Sequence, residues 1–173
     1  MAVVLPTPST PGVDPTWPAL HAVTPEEHDL RRAIAADELR LHYQPVLDLR
    51  TGRPVAVEAL VRWEHPVQGL LGAELFIPLA ERTGLDVPLG AWVVAEACRL
   101  AVLLESRPGD ALTVAVNLSG RQLSDAGLVP LVRAALQAHG CAGSRLVFEV
   151  TETALVTDMD AAIASVQELR ELG

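Results

Sequence analysis

The stretch AVEALVRWEHP, Ala56 to Pro66, places two opposite charges inside an apolar strand pattern. Glu58 and Arg62 lie four residues apart among valine, alanine, leucine and tryptophan. Because side chains alternate between the two faces of a strand, both charges fall on the same face. The other face suits packing beneath helices, since its residues are Val55, Val57, Ala59, Val61 and Trp63.

Two later segments repeat this arrangement. ALTVAVNLS (111–119) and RLVFEVTE (145–152) each present one apolar face and one face with a polar side chain near the carboxyl end, Asn117 and Glu149 respectively. Helical patterns separate the three strands, which indicates βα units and a parallel sheet. Glu58, Asn117 and Glu149 are therefore expected at the carboxyl edge, where open α/β sheets and (β/α) barrels build their sites.

The residue types at this edge predict a particular chemistry. Two carboxylates and a carboxamide form a hard oxygen set that suits Mg²⁺, Mn²⁺ or Ca²⁺ rather than zinc. Arg62 is placed to grip a phosphate held by such a metal. Two simpler interpretations stay open: Glu58 and Arg62 form an ordinary ion pair, or Asn117 is a turn or cap residue. The matched parity of three strands favours the site.

Composition restricts the class of protein. The 173 residues are 50% hydrophobic and 20% charged, which is typical of a globular domain. A net charge of −9 disfavours a nucleic-acid partner. The apolar segment from Pro88 to Leu104 contains Glu96 and Arg99, so it predicts an amphipathic core helix and no membrane span. The N-terminus lacks a basic region before its short apolar run, and we expect a cytoplasmic location.

The chain divides into two parts. Residues 1–24 are rich in proline, serine and threonine and predict a linker or tail; residues 25–173 predict the folded domain. An early strand is expected over 40–49, and helices over 25–39, 73–82, 88–105, 123–139 and 158–172. Cys98 and Cys141 lie in apolar patterns and are interpreted as buried free thiols. The five histidines show no metal-binding spacing and are interpreted as surface or turn residues.

Four ordered motifs carry a family resemblance. LRLHYQPVLDLRTGRPVAVEALVRWEHP (39–66), FIPLAERTG (76–84), VAVNLSGRQL (114–123) and LVFEVTET (146–153) resemble the EAL family of cyclic-di-GMP phosphodiesterases, named after the Glu-Ala-Leu at 58–60. The likeness runs from about Leu30 to Gly173. It implies an α/β fold, a TIM-like (β/α) barrel of the EAL type with a first antiparallel strand. Only about half of that barrel is present, so 25–173 is expected to be a partial EAL domain.

The resemblance also implies roles for individual residues. Metal ligands correspond to Glu58, Asn117 and Glu149, and the two glutamates are also the catalytic positions. Substrate-binding positions correspond to Gln44 for guanine, Leu60 for the pocket wall and Arg62 for a phosphate. The implied reaction is hydrolysis of cyclic-di-GMP to linear pGpG with Mg²⁺ or Mn²⁺.

One departure from the family pattern changes these expectations. The chain ends at Gly173, before the family's Asp-Asp-Phe-Gly motif, so a second metal site is not expected to form. The first interpretation is a phosphodiesterase domain that is active when complete and impaired or inactive as this truncated chain. The alternative is a non-catalytic EAL-like module that binds cyclic-di-GMP or a protein partner in signalling. A homodimer, or a complex with another EAL-domain chain, is compatible with either interpretation.

Overall fold

The computed structural model describes residues 2–3, 25–105, 112–150 and 159–173. The expected proline-rich tail therefore lies outside the described residues, apart from a two-residue strand, β1 (Ala2–Val3). The end of the third predicted strand, after residue 150, also lies outside them.

The elements follow one another in a mostly alternating order. The strands after β1 are β2 (Leu39–Asp48), β3 (Pro54–His65), β4 (Gly69–Gly72), β5 (Thr113–Leu118) and β6 (Leu146–Val150). The helices are α1 (Glu27–Ala35), α2 (Ala73–Thr83), α3 (Asp86–Glu105), α4 (Gly120–Leu123), α5 (Leu128–His139) and α6 (Met159–Glu171). A short 3₁₀ turn, Gly143–Arg145, leads into β6.

The strands form one mixed sheet in the order β1-β2-β3-β5-β6, with β4 paired to β3. β2 is antiparallel to β3, whereas β3, β5 and β6 are mutually parallel. Within the described residues the sheet is open and does not close into a barrel. The predicted α/β fold is confirmed, as is the first antiparallel strand: the sheet has a parallel part that is preceded by the antiparallel β2.

The apolar face of β3 becomes the core, as its alternation predicts. Trp63 is fully buried, and its ring meets His65 and Phe76 edge-on with centroids 4.9 Å and 5.7 Å away. Its indole Nε1 donates to Glu38 Oε2 over 3.0 Å, which satisfies the one polar atom of the buried ring. The parallel strand β5 contributes Val114, Val116 and Leu118 to the same core.

Helix α3 covers this face of the sheet. By length and composition, its span Asp86–Leu104 is the one helix of the described chain that could cross a membrane, a property that core helices share. In this structure Val94, Ala97, Cys98 and Ala101 of α3 are buried in the hydrophobic core. The helix therefore packs as the predicted core helix, and it begins two residues before the expected Pro88.

Two predictions about the elements are wrong. The helix expected over 123–139 is two helices, because the chain turns between α4 and α5 where Asp125 Oδ1 accepts a bond of 2.7 Å from the Gly127 amide. The second concerns the segment between β3 and α2, where a loop rather than a strand is predicted; it contains β4, which returns antiparallel to β3. His65 holds that hairpin: it is buried and not on the surface, and its Nδ1 accepts from the amides of Val67 and Gln68 at 3.2 and 3.1 Å.

Candidate functional site

The three predicted ligand residues converge on one face of the parallel strands. In the sheet register Glu58 lies opposite Ala115 on β5, and Asn117 lies opposite Glu149 on β6. Asn117 Nδ2 donates a hydrogen bond of 2.8 Å to Glu58 Oε1, which joins β3 to β5 at this point. The alternation of strand side chains, read from three separate segments, therefore identifies side chains that are in contact in the fold.

Glu149 is close enough to Glu58 for the two carboxylates to interact electrostatically. Its pKa is raised above the ordinary value, first because burial disfavours the charged form and second because the negative charge of Glu58 is close. The proximity of the Glu58 and Glu149 carboxylates concentrates negative charge at this edge of the sheet. A divalent cation relieves such an excess, as an ion is often the largest charge in its site.

The simpler interpretations of these residues do not hold. Among the ion pairs of the described residues, none joins Glu58 to Arg62, and Arg62 Nη1 donates instead to the carbonyl of Val61 at 2.8 Å. Asn117 lies within β5, and the N-cap of the following helix is Ser119. Neither an ordinary Glu58–Arg62 pair nor a capping role for Asn117 accounts for this edge.

The predicted substrate-binding residues lie on the same face. Gln44 is paired directly with Glu58 across the antiparallel β2–β3 ladder, and residues opposite each other in a ladder share a face. Leu60 follows on β3 and, with Asn117 and Ser119, lines a cavity of about 310 Å³. Arg62 lies one strand period beyond Leu60, opposite Arg40.

The donor set fits a hard divalent cation as part of a site. Within the described residues there is no cluster of three or more His, Cys, Asp or Glu side chains, so carboxylates alone do not form a complete metal cage. Asn117 uses its Nδ2 on Glu58, which leaves its Oδ1 as the atom that a hard cation prefers. Among the described residues, Glu58, Asn117 and Glu149 are thus the ones that could hold a hard divalent cation.

Four residues beside the site were not singled out from the sequence. Ser119 and Gln122 form a capping box at the start of α4, and Arg121 and Asp86 form an ion pair of 3.5 Å beneath it. The capping box had a readable signal, a serine followed three residues later by glutamine. The Arg121–Asp86 pair had none, because these residues are 35 positions apart in the sequence.

Comparison with protein families and known structures gives a consistent match. The model of the family described as EAL domain matches residues 27–173. The bifunctional diguanylate cyclase/cyclic di-GMP phosphodiesterase MucR of Pseudomonas aeruginosa is 46% identical over 147 residues, covering 84% of this chain and 21% of that protein. The cyclic di-GMP phosphodiesterase NbdA of the same organism is 47% identical over 147 residues, covering 85% and 19%. The chain thus spans about a fifth of the length of these relatives.

Solved structures agree with the fold. The PaMucR phosphodiesterase in complex with c-di-GMP aligns with a TM-score of 0.78 at 46% identity, over 84% of this chain and 59% of that one. The Xanthomonas citri FimX EAL domain in complex with c-diGMP aligns with a TM-score of 0.73 at 27% identity, over 84% and 56%.

Proposed function

Because the chain belongs to the EAL domain family, we propose that its Glu58–Asn117–Glu149 edge is one half of a cyclic-di-GMP phosphodiesterase site. The proposed reaction is hydrolysis of one phosphodiester bond to give linear pGpG. The observation that carries the proposal is the hydrogen bond from Asn117 to Glu58, with Glu149 in the adjoining register position. The relatives named as cyclic-di-GMP phosphodiesterases support the substrate.

Each residue has a role that follows from its chemistry. Glu58 and Glu149 supply carboxylate oxygens and Asn117 an amide oxygen for Mg²⁺ or Mn²⁺. When bound, the metal supplies a water nucleophile at neutral pH and neutralises charge on the phosphate. Arg62 binds a phosphate through its guanidinium, Gln44 pairs with guanine through its amide, and Leu60 provides apolar wall to the pocket.

We expect the 173-residue polypeptide by itself to hydrolyse cyclic-di-GMP poorly or not at all. The described residues offer three oxygen ligands on this face, which suit one divalent ion and leave a second ion without carboxylates. The second candidate function is therefore binding without catalysis. In that case the same face recognises cyclic-di-GMP, or the chain pairs with a second copy or another EAL-domain chain.

Residues 25–173 are the proposed partial EAL domain, and residues 1–24 the proposed linker or tail. A cytoplasmic location is proposed, in keeping with a nucleotide ligand. We propose no nucleic-acid partner, because the net charge of −9 repels polyanions.

Calorimetry on the parent and two variants tests this function. Glu58→Ala should weaken binding of Mn²⁺, and Arg62→Ala should weaken binding of cyclic-di-GMP while leaving Mn²⁺ binding close to the parent's. Matched controls are Glu168→Ala on α6 and Arg133→Ala on α5, both exposed and on helices away from this face. If Glu58→Ala and Arg62→Ala bind both ligands like the parent, the proposed site is wrong.

A hydrolysis assay separates the two candidate functions. Purified chain, Mg²⁺ or Mn²⁺ and cyclic-di-GMP are incubated, and pGpG is measured by chromatography. Loss of one essential group often costs about a thousandfold in rate. Turnover near one per second, a usual enzyme value, would contradict the expectation that this polypeptide is impaired.

A further inference from the structure

The short helix α4 follows directly behind Asn117. Its four residues, Gly120–Leu123, make a single turn, and a helix of this length does not stabilise itself. Only Leu118 and Ser119 separate Asn117 from it. Asn117 is held in the β5–β6 ladder, and the contacts that fix α4 set the path of the chain immediately after it.

The Gln122 side chain makes two hydrogen bonds that fix this turn. Its Oε1 accepts from the Ser119 amide at 2.9 Å, while the Ser119 hydroxyl accepts from the Gln122 amide at 3.2 Å. Its Nε2 donates 2.8 Å to the carbonyl of Asp86, at the start of α3. One side chain thus closes the capping box and ties it to a neighbouring helix.

Arg121 adds a second tie to the same corner. Its Nη1 donates to the carbonyl of Glu81 near the end of α2 at 2.8 Å, and its Nε lies 3.5 Å from Asp86 Oδ1. The Asp86 side chain is only 4% exposed, so the pair is partly shielded from water. Burial raises the pKa of Asp86, and the charge of Arg121 acts in the opposite direction. The α2–α3 corner and α4 are joined by three polar contacts.

Two glycines leave room for these side chains. A Cβ at Gly90 would fall on Gln122 Nε2, and a Cβ at Gly84 would lie 3.0 Å from Arg121 Nη2. Gly84 also has a φ of +76°, which favours glycine independently. Gly90 does not have a positive φ, so its backbone does not require glycine. The lack of a side chain at Gly90 instead leaves space for the Gln122 amide.

A cavity adjoins this arrangement. It has a volume of about 310 Å³, and its largely apolar lining includes Asn117, Ser119, Gln122 and Asp86. Removal of Gln122 would therefore enlarge an existing space without bringing in another side chain to hold the turn. The segment that directly follows Asn117, the donor of the 2.8 Å bond to Glu58, would then lose one of its ties to α3.

We propose that Gln122, assisted by Arg121, is a positioning residue that holds Asn117 against Glu58 by anchoring α4 to the α2–α3 corner. This proposal rests on the proposed function only because Asn117 is taken as a metal ligand. Residues behind a ligand that fix its orientation typically change metal affinity by about 10- to 100-fold when they are replaced. We expect about a tenfold loss of Mn²⁺ affinity on replacing Gln122.

The primary test is nuclear magnetic resonance of the ¹⁵N-labelled 173-residue chain without metal or nucleotide. The Asn117 side-chain amide, assigned by its loss in Asn117→Ser, reports the bond to Glu58 directly. In Gln122→Ala this signal should move toward the position of a water-exposed amide. Asp48→Ala is the matched control, since it removes three bonds that hold the β2–β3 turn away from the site. That variant should leave the Asn117 signal unmoved.

Two more variants keep the test decisive. Gln122→Glu retains an acceptor for the Ser119 amide but loses the donor to the Asp86 carbonyl. Its Asn117 signal should therefore move as it does in Gln122→Ala, while its melting temperature stays near the parent's. Gly90→Ala displaces only the flexible end of Gln122 and decides the matter if Gln122→Ala does not fold. An Asn117 signal that stays in place in both Gln122→Glu and Gly90→Ala would overturn the proposal.

Manganese titration of the same variants is the second measurement. The positioning role is supported if the dissociation constant for Mn²⁺ is about tenfold larger in Gly90→Ala and Gln122→Ala and unchanged in Asp48→Ala. Unchanged affinity in the presence of a shifted Asn117 signal would show that Asn117 is not a ligand, which contradicts the proposed function and not the anchoring. A parent chain that binds no Mn²⁺ likewise counts against the proposed metal site, and the amide signal alone then decides the anchoring.

Discussion

At the scale of single residues, the site is defined by a glutamate that is harder to ionise in the fold than in water. Glu149 has a pKa above its ordinary value of 4.5 because of burial first and of Glu58 second. A raised pKa means that the folded state favours the protonated form. The stability that follows is present in full below pH 4.5 and is lost as the pH rises through the folded pKa.

We therefore predict that Glu149→Gln raises the melting temperature at pH 7 in the absence of divalent ions. The neutral amide removes the ionisation penalty while keeping the shape of the side chain, and the difference from the parent should shrink toward pH 4. Thermal unfolding between pH 4 and pH 8 measures it, with Glu168→Gln on α6 as the control for loss of an exposed charge. A lower melting temperature of Glu149→Gln at pH 7 would contradict the charge assignment.

Strand alternation was sufficient to predict which residues share this face. Glu58, Asn117 and Glu149 are near one another because the side-chain period of a strand is two and parallel strands end at the same edge. The hydrogen bond from Asn117 to Glu58 could not be predicted, because it depends on the register of β3 against β5. Gln122 was missed for a related reason: its partner on α3 is 36 residues away.

The two cysteines lead to a second prediction at this scale. Both are buried and neither is in a disulfide bond, and burial together with the neighbouring Cys141 raises the pKa of Cys98 to about 12. Because the thiolate is the reactive form, neither thiol should react with a maleimide at pH 8 in the folded chain. Both should react once the chain is unfolded in denaturant, as mass spectrometry can count. Rapid labelling of the folded chain would show that one of the thiols is accessible.

At the scale of elements, β3 is the strand that connects the rest. Its Trp63 is fully buried, and its indole bonds to Glu38, which also pairs with Arg32 on α1 at 3.1 Å. Trp63 therefore connects β3 to Phe76 of α2 directly and to α1 through Glu38. Truncation of a buried tryptophan costs about 3–5 kcal/mol, a large part of the total stability of a domain, which is about 5–15 kcal/mol.

We predict a graded series at this position. Trp63→Ala should prevent cooperative folding or lower the urea midpoint strongly, and Trp63→Phe should cost about 1–3 kcal/mol through the lost bond to the Glu38 carboxylate and some lost volume. Glu38→Gln keeps an acceptor for the indole and loses only a partly exposed ion pair, worth about 0–1 kcal/mol. Urea unfolding followed by circular dichroism gives the order. A Glu38→Gln cost larger than that of Trp63→Ala would show that charge, and not packing, dominates here.

Element boundaries were predictable where hydrophobic periodicity is long. Helix α3 agrees with its expected range to within two residues at each end. The break between α4 and α5 was missed because the periodic pattern continues across it, while the turn is made by the local Asp125–Gly127 bond. Strand β4 was missed because four residues, two of them glycine, carry almost no strand pattern and are held by pairing with β3.

At the scale of the whole molecule, β6 is a terminal strand of the described sheet. β5 is the only strand of the described chain that pairs with it. Parallel strands are normally buried on both faces, because helices or a closed barrel cover them. On β6, Val147 is 43% exposed and Val150 is 36% exposed. An apolar edge of this kind is a template for pairing with another strand.

We predict that the purified 173-residue chain associates through this edge and does not behave as a well-folded monomer. Pairing would satisfy the free amides and carbonyls of β6 and remove Val147 and Val150 from water, whether the partner is a second copy or another EAL-domain chain. Size exclusion with light scattering measures the mass, and Val147→Lys should shift it toward the monomer, because a charge on the edge strand opposes pairing. Ile163→Lys is the control, since that residue is similarly exposed but lies on α6. A single monomeric peak with a sharp, concentration-independent thermal transition in the parent would show that the open sheet is stable with β6 unpaired.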